Sequence, residues 1–232
     1  MGRVIRSTIE ICRRHALLLG GLAMLYLALP GMLSTWLRTR VFERQVEADA
    51  GTALGLEQIV LSVLAIAMAL VVTRITMADL DDREVSLAEG QMALRRLGVA
   101  MILNLVVTVA VVVGLLLLVI PGLFLMTGWF VALPALLAEN LGLQAALRRS
   151  TQLTSGHRSA ILGLILAYVV ISVVPGVIIE FGFPEQATSF VEGVISSLLF
   201  AFTSLVGAVG TAVSYWELRR AKEGRFSESV FD

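Results

Sequence analysis

The sequence predicts an all-α, polytopic membrane protein: six transmembrane helices, with short amphipathic helices along the cytoplasmic interface. Three observations carry that expectation. Of 232 residues, 57% are hydrophobic and only 16% charged, and the mean hydropathy is +0.88; ordinary soluble domains carry about 25% charged residues. The uncharged runs have the lengths a bilayer demands. The basic residues cluster between runs in a strongly one-sided way.

A helix needs about 20 residues to cross a hydrocarbon core roughly 30 Å thick. Residues 16–37, 159–179 and 193–216 hold no charge, and each is one span long. The uncharged stretch from Leu97 to Ala138 is 42 residues, the length of two crossings. Pro121-Gly122 lies near its middle, where proline stops a helix and glycine permits a turn, so a tight hairpin is expected there. The sixth span begins at residue 58 and reaches about Ala78 if Arg74 snorkels. A basic start and an apolar run also fit a signal peptide, but the run is long and further spans follow it.

Six spans place both termini on one side. That side then collects Arg3, Arg6, Arg13, Arg14, Arg74, Arg83, Arg95, Arg96, Arg148, Arg149, Arg158, Arg219, Arg220, Lys222 and Arg225, all but three of the 18 basic residues. Arg38, Arg40 and Arg44 remain opposite, beside Glu43, Glu47 and Asp49. By the positive-inside rule both termini are expected to be cytoplasmic. The net charge is zero, so nucleic acid is not an expected partner.

Three basic segments precede outward spans. On a helical projection of residues 143–154, Leu143, Ala146, Leu147, Ser150, Leu153 and Thr154 share a face, with Arg148 and Gln152 opposite. Near the N-terminus Ile5, Ile9, Cys12 and Ala16 form a stripe, across from Arg3, Arg6, Glu10, Arg13 and Arg14. Leu87, Gly90, Leu94 and Leu97 repeat the pattern more loosely. Such helices suit the membrane interface. There Arg13, Arg14, Arg95, Arg96, Arg148, Arg149 and Arg158 would meet anionic lipid headgroups, each at about 1 kcal/mol. The plainer alternative is a set of solvated connectors whose arginines only fix topology.

"QMALRR" at 91–96 and "QAALRR" at 144–149 suggest an internal repeat within a single domain spanning 1–232. The units run 1–79, 84–139 and 143–218, each an interfacial helix followed by an outward and an inward span. Each outward span ends in Pro-Gly: Pro30-Gly31, Pro121-Gly122 and Pro175-Gly176. Each inward span ends at an acid: Asp79, Glu139 or Glu217. A carboxylate is disfavoured at a helix C-terminus, so a basic partner is expected for each, drawn from the Arg-Arg pairs.

The stretch "PGLFLMTGWFVALPALLAENLGLQAALRRSTQLTSGHR", residues 121–158, resembles the membrane domain fused to some glycerophosphodiester phosphodiesterases, which also stands alone in small YciC-like bacterial inner-membrane proteins. Pro121, Gly122, Trp129, Pro134 and Glu139 carry the resemblance, followed by Ala146, Leu147, Arg148, Ser150, Leu153, Thr154 and Gly156. It implies a six-helix membrane module. It does not imply phosphodiesterase activity, which belongs to a separate soluble domain.

Catalysis is not expected, and no cofactor or metal set is expected either. The single cysteine, Cys12, and the two histidines, His15 and His157, form no nucleophile–base pair, and both histidines read as caps at helix ends. No span core carries a charge of the kind an ion-coupled carrier uses. Asn104, the most polar residue deep in a span, reads as an inter-helix hydrogen bond. Two functions remain open. One is lipid-linked membrane maintenance or transport of an amphiphile, with anionic membrane lipids as partners and an interrupted helix around Pro134 framing a path. The other is an accessory or scaffold subunit packed on another membrane protein or on a second copy, with the outer segment 38–57 available for a partner.

Overall fold

The computed structural model describes residues 2–41, 50–83, 87–182 and 189–229, all of them in helices or short turns. Most of the outer segment 38–57 offered above as a partner contact, and the start of the second repeat unit at 84, lie outside the residues whose side chains are described. Six helices are long and apolar enough to cross a membrane, so the chain is an all-α polytopic protein. In chain order the helical elements are α1 (Gly2–Arg14), α2 (Ala16–Ala23), a π-helical turn (Met24–Ala28), α3 (Leu29–Val41), α4 (Ala50–Leu80) and α5 (Leu87–Leu94). There follow α6 (Leu97–Leu117), α7 (Val119–Gly128), α8 (Ala132–Ala138), α9 (Leu143–Thr154), α10 (Arg158–Gly182) and α11 (Ser189–Ser229). Three times a short helix (α1, α5, α9) precedes two segments of spanning length, the order expected from the basic segments.

The prolines do something different from what their positions suggest. Pro30-Gly31 does not end the first span: the chain stays helical to Val41. Just before it the ladder widens, and the Leu29 N–H bonds Met24 O, five residues back. Proline lacks a donor and its ring presses on the turn before it; a π turn absorbs both at that place. Pro175 lies inside α10, which runs on to Gly182. Pro121-Gly122 is not the hairpin turn either. The break falls at Leu118, extended at φ −158° and ψ 130°, which is the N-cap of α7. Pro121 is therefore in the first turn of α7, where its missing N–H has no intrahelical acceptor to lose. Gly122 is what lets the hairpin close: a Cβ there would meet the Leu115 backbone N at 2.6 Å, and a Cβ on Gly114 would meet Gly122 Cα at 3.0 Å.

α4 and α11 form the centre. Met68, Val71, Val72 and Ile75 of α4 pack with Ala201, Leu205, Val209 and Val213 of α11, and with Leu19, Leu27 and Ala28 from the first span. Around the side of α4, Leu70 joins a second cluster with Leu103, Leu136, Leu137 and Ala146. Met77 joins a third with Val131, Leu153, Ile161 and Tyr215. A helix that serves three clusters must be apolar nearly all round, as α4 is. By contrast α6 and α10 bury little and turn residues such as Leu105, Leu116, Val169 and Val173 outward, as lipid-facing helices do.

The inner ends of α4 and α8 close in the same way. Asp82 and Asn140 adopt the left-handed conformation, both at φ 53°. The following N–H groups bond back to the third-last helical carbonyl: Arg83 N–H to Ala78 O at 2.8 Å and Leu141 N–H to Leu136 O at 3.1 Å. This is the Schellman closure, made with Asp and Asn rather than glycine because their short polar side chains tolerate that region. α11 has no such stop. It continues past Glu217 to Ser229, so the expectation of a helix end at Glu217 is corrected. The polar stretch after Glu217 keeps good helix formers and an Arg219–Glu223 pair one turn apart at 2.8 Å, so the end of the apolar run is not the end of the helix.

Candidate functional site

The Arg-Arg pairs are divided by the fold. Their second members turn into the bundle, to the C-terminal ends of α4 and α8 and to α11. Arg14 reaches Asp79 at 3.3 Å and Glu10 at 3.6 Å. Arg96 donates to Leu141 O at 2.7 Å, Asn140 O at 3.2 Å and Leu136 O at 3.4 Å, clamping the turn that closes α8. Arg149 donates to Glu139 at 2.6 Å and also to Glu223. The first members, Arg13, Arg95 and Arg148, are exposed. Among the described residues they form no ion pair or hydrogen bond. Arg158 is occupied as well: its guanidinium lies 3.4 Å from the centroid of Phe124, a cation–π contact. Of seven arginines read as lipid contacts, three are thus unengaged and four hold the protein together.

The acids follow the same division. Asp79 accepts from Arg14 and pairs with His15 Nε2 at 2.8 Å. Glu139 accepts from Arg149 and, at 2.7 Å, from the Tyr215 hydroxyl. Partial burial works against the Arg149 charge, but its bonds to Glu139 and Glu223 outweigh that and raise its pKa above the ordinary arginine value. Lys222 ties the same end of α11 to Ser155 Oγ at 2.6 Å. For Glu217, the expected basic partner is absent among the described residues; Glu223, one and a half turns on, takes that role. The histidines do not cap helices through their rings. His15 makes no side-chain cap bond and is spent on Asp79, while the buried His157 Nδ1 has no partner.

The apolar segment Val119–Ala138 is broken, but at Trp129–Val131 rather than at Pro134. Val131 is the N-cap of α8, so Pro134 sits buried in its first turn, a start rather than a kink. The break leaves carbonyls without helical donors. Ser150 Oγ and Thr154 Oγ1 of α9 donate to Gly128 O at 2.8 and 3.2 Å. Thus α9 is docked by a buried polar face as well as by Ala146 and Leu153. Ser150→Ala combined with Thr154→Val should lower stability by roughly 2–3 kcal/mol, because a buried carbonyl loses both donors; chemical unfolding in detergent micelles measures it.

Two clefts flank this break. The larger, about 490 Å³, lies between α10 and α11 with α1 above it, and is lined by Val4, Thr8, Ile9, Tyr168, Thr211 and other small or apolar residues. The second, about 460 Å³, lies among α4, α6 and the α7–α8 segment, with Ser62, Asn104, Val107, Trp129 and Leu133 on its walls. Ala65, Ala69 and Phe130 line both. Both volumes fall in the range of about 300–1,000 Å³ found for ligand clefts. The α1 stripe also differs from its projection. Val4, Thr8, Ile11 and Cys12 face the bundle, while Ile5 and Ile9 stay exposed at the cleft mouth. Among the described residues no group of three or more His, Cys, Asp or Glu is placed to hold a metal.

Tyr215 and Glu223 have no signal in the sequence that separates them from their neighbours. Their roles arise from partners 76 and 74 positions away. Comparison with protein families, with characterised proteins and with solved structures finds no match to this chain.

Proposed function

We propose that this protein is a non-enzymatic lipid-handling module of a bacterial-type inner membrane, with both termini cytoplasmic, that holds an anionic lipid or related amphiphile for membrane maintenance or transport. The observation that carries the reading is the 490 Å³ cleft under α1. Its walls are apolar, as an acyl chain requires. Its roof is a helix whose outward face carries Arg3, Arg6 and Arg13, which suits a phosphate headgroup at the inner leaflet. The resemblance of residues 121–158 to membrane domains of glycerophosphodiester phosphodiesterases supports the lipid connection. The one-sided distribution of arginine supports the orientation.

The test uses the purified chain in nanodiscs with and without cardiolipin. Cardiolipin should raise the melting temperature of the wild type, and the Arg13→Ala/Arg95→Ala/Arg148→Ala variant should lose most of that gain, about 1 kcal/mol per arginine. Thr211→Trp, which fills the cleft, should remove one retained phospholipid in native mass spectrometry. Equal cardiolipin shifts in wild type and triple variant, with unchanged lipid retention in Thr211→Trp, would sink the reading. A stoichiometric protein partner recovered from native membranes would favour the accessory-subunit alternative instead.

A further inference from the structure

The second cleft carries a distinct polar signature. Asn104 is the eighth residue of α6, roughly 10 Å along the helix from its inner end. It is exposed, lines the cleft, and forms no hydrogen bond among the described residues. The inter-helix hydrogen bond expected of it is therefore not made. Trp129 lines the same cleft at the helix break, and its indole N–H likewise has no acceptor among the described residues. Ser62 already spends its hydroxyl proton on Gln58 O at 2.7 Å.

An unpaired amide in hydrocarbon is costly, because lipid tails offer it nothing in exchange for water. Two donors without a protein partner thus line one cleft, and an acceptor from outside the chain would satisfy them. No arginine, lysine or acid lines this cleft, so nothing there would balance a charged headgroup. We infer that the cleft among α4, α6 and the α7–α8 segment binds an uncharged apolar molecule bearing a hydroxyl or carbonyl oxygen, which accepts from the Asn104 amide and the Trp129 indole. This occupant differs in charge from the lipid under α1, and the inference does not rest on that reading. Ala65, Ala69 and Phe130 line both clefts, so the two share a wall.

The three tryptophans are Trp36, Trp129 and Trp216. Phenylalanine at the first and third leaves Trp129 as the sole tryptophan of the full chain, excited selectively at wavelengths the three tyrosines do not absorb. In nanodiscs, a long-chain bromoalkanol and the bromoalkane of equal length are titrated as quenchers. The alkanol should quench at about tenfold lower membrane concentration than the alkane, the worth of roughly one neutral hydrogen bond. Asn104→Leu should erase that preference while melting as the parent does, and Asn104→Gln should keep part of it. Equal quenching by alkanol and alkane in the parent overturns the inference, and so does a preference that survives Asn104→Leu. If Asn104→Leu instead converts an oligomer to a monomer with no alkanol preference in the parent, a second copy covers this face, and the ligand assignment is again overturned.

Discussion

Arg149→Ala lowers the unfolding free energy by roughly 2–3 kcal/mol, below the 3–5 kcal/mol typical of stripping one partner from a fully buried pair. The discount follows from geometry. Arg149 and Glu139 are both about one-quarter exposed, at 25% and 22%. Glu139 keeps the Tyr215 hydroxyl, and Glu223 keeps Arg219. What is lost is the α9 side chain that ties Glu139, at the end of α8, to Glu223 of α11. Arg149→Lys should recover only part of the stability, since an ammonium cannot fork two carboxylates on different helices as a guanidinium does. The double variant Arg149→Ala/Glu139→Gln should be more stable than Arg149→Ala alone, because the stranded carboxylate is gone. Equilibrium unfolding in mixed micelles reads all three. A cost below about 0.5 kcal/mol for Arg149→Ala would make the bridge an ordinary screened surface pair.

Gly122→Val has the other large expected effect, about 3 kcal/mol, at the upper end of overpacking costs. The α6–α7 hairpin brings Gly114 and Gly122 face to face, and the space for a Cβ on Gly122 is taken by the Leu115 backbone N at 2.6 Å as well as its side chain. A flexible neighbour can rotate away; a backbone atom cannot. The hairpin must then splay, and the α7–α8 break with its docked α9 moves with it. Gly20→Ala is the matched control. Nothing lies within 4 Å of a Cβ there, so relief of glycine's backbone entropy in a helix should leave it neutral or about 0.5 kcal/mol more stable. Comparable melting of Gly122→Val and wild type would show that the hairpin does not close on this pair.

The prolines show where reading the sequence went astray. Pro30, Pro121 and Pro175 are expected to end helices, and none does, although the fifth apolar span itself closes at Pro175. In water proline usually terminates a helix because the freed carbonyl finds solvent. In a bilayer the alternative to a strained helix is bare backbone in hydrocarbon, so the helix adjusts instead, by a π turn before Pro30 and by continuing through Pro175. Pro121 and Pro134 were misplaced by a different cause. Each stands three residues after an N-cap, Leu118 or Val131, where a missing N–H is harmless. Local sequence cannot distinguish a proline that stops one helix from a proline that starts the next. The acids were half legible. Asp79 and Glu139 do stand at the ends of inward spans with basic partners, as the helix dipole requires. Glu217 marks only the end of the apolar run.

By itself the sequence determined that this chain holds six apolar stretches of spanning length and that paired arginines stand at the end of, or just after, the short helices that precede three of them. Those properties are sums over neighbouring residues: hydropathy across about 20 positions, and charge across the gaps. Tertiary structure decided which arginine of each pair is free, that Asn104 faces a cleft rather than a helix, and that α9 mends a broken span. Such outcomes depend on which group, far off in sequence, comes within 3 Å of a donor or acceptor. That distance is set only when α4 and α11 have packed and every other element has found its place around them.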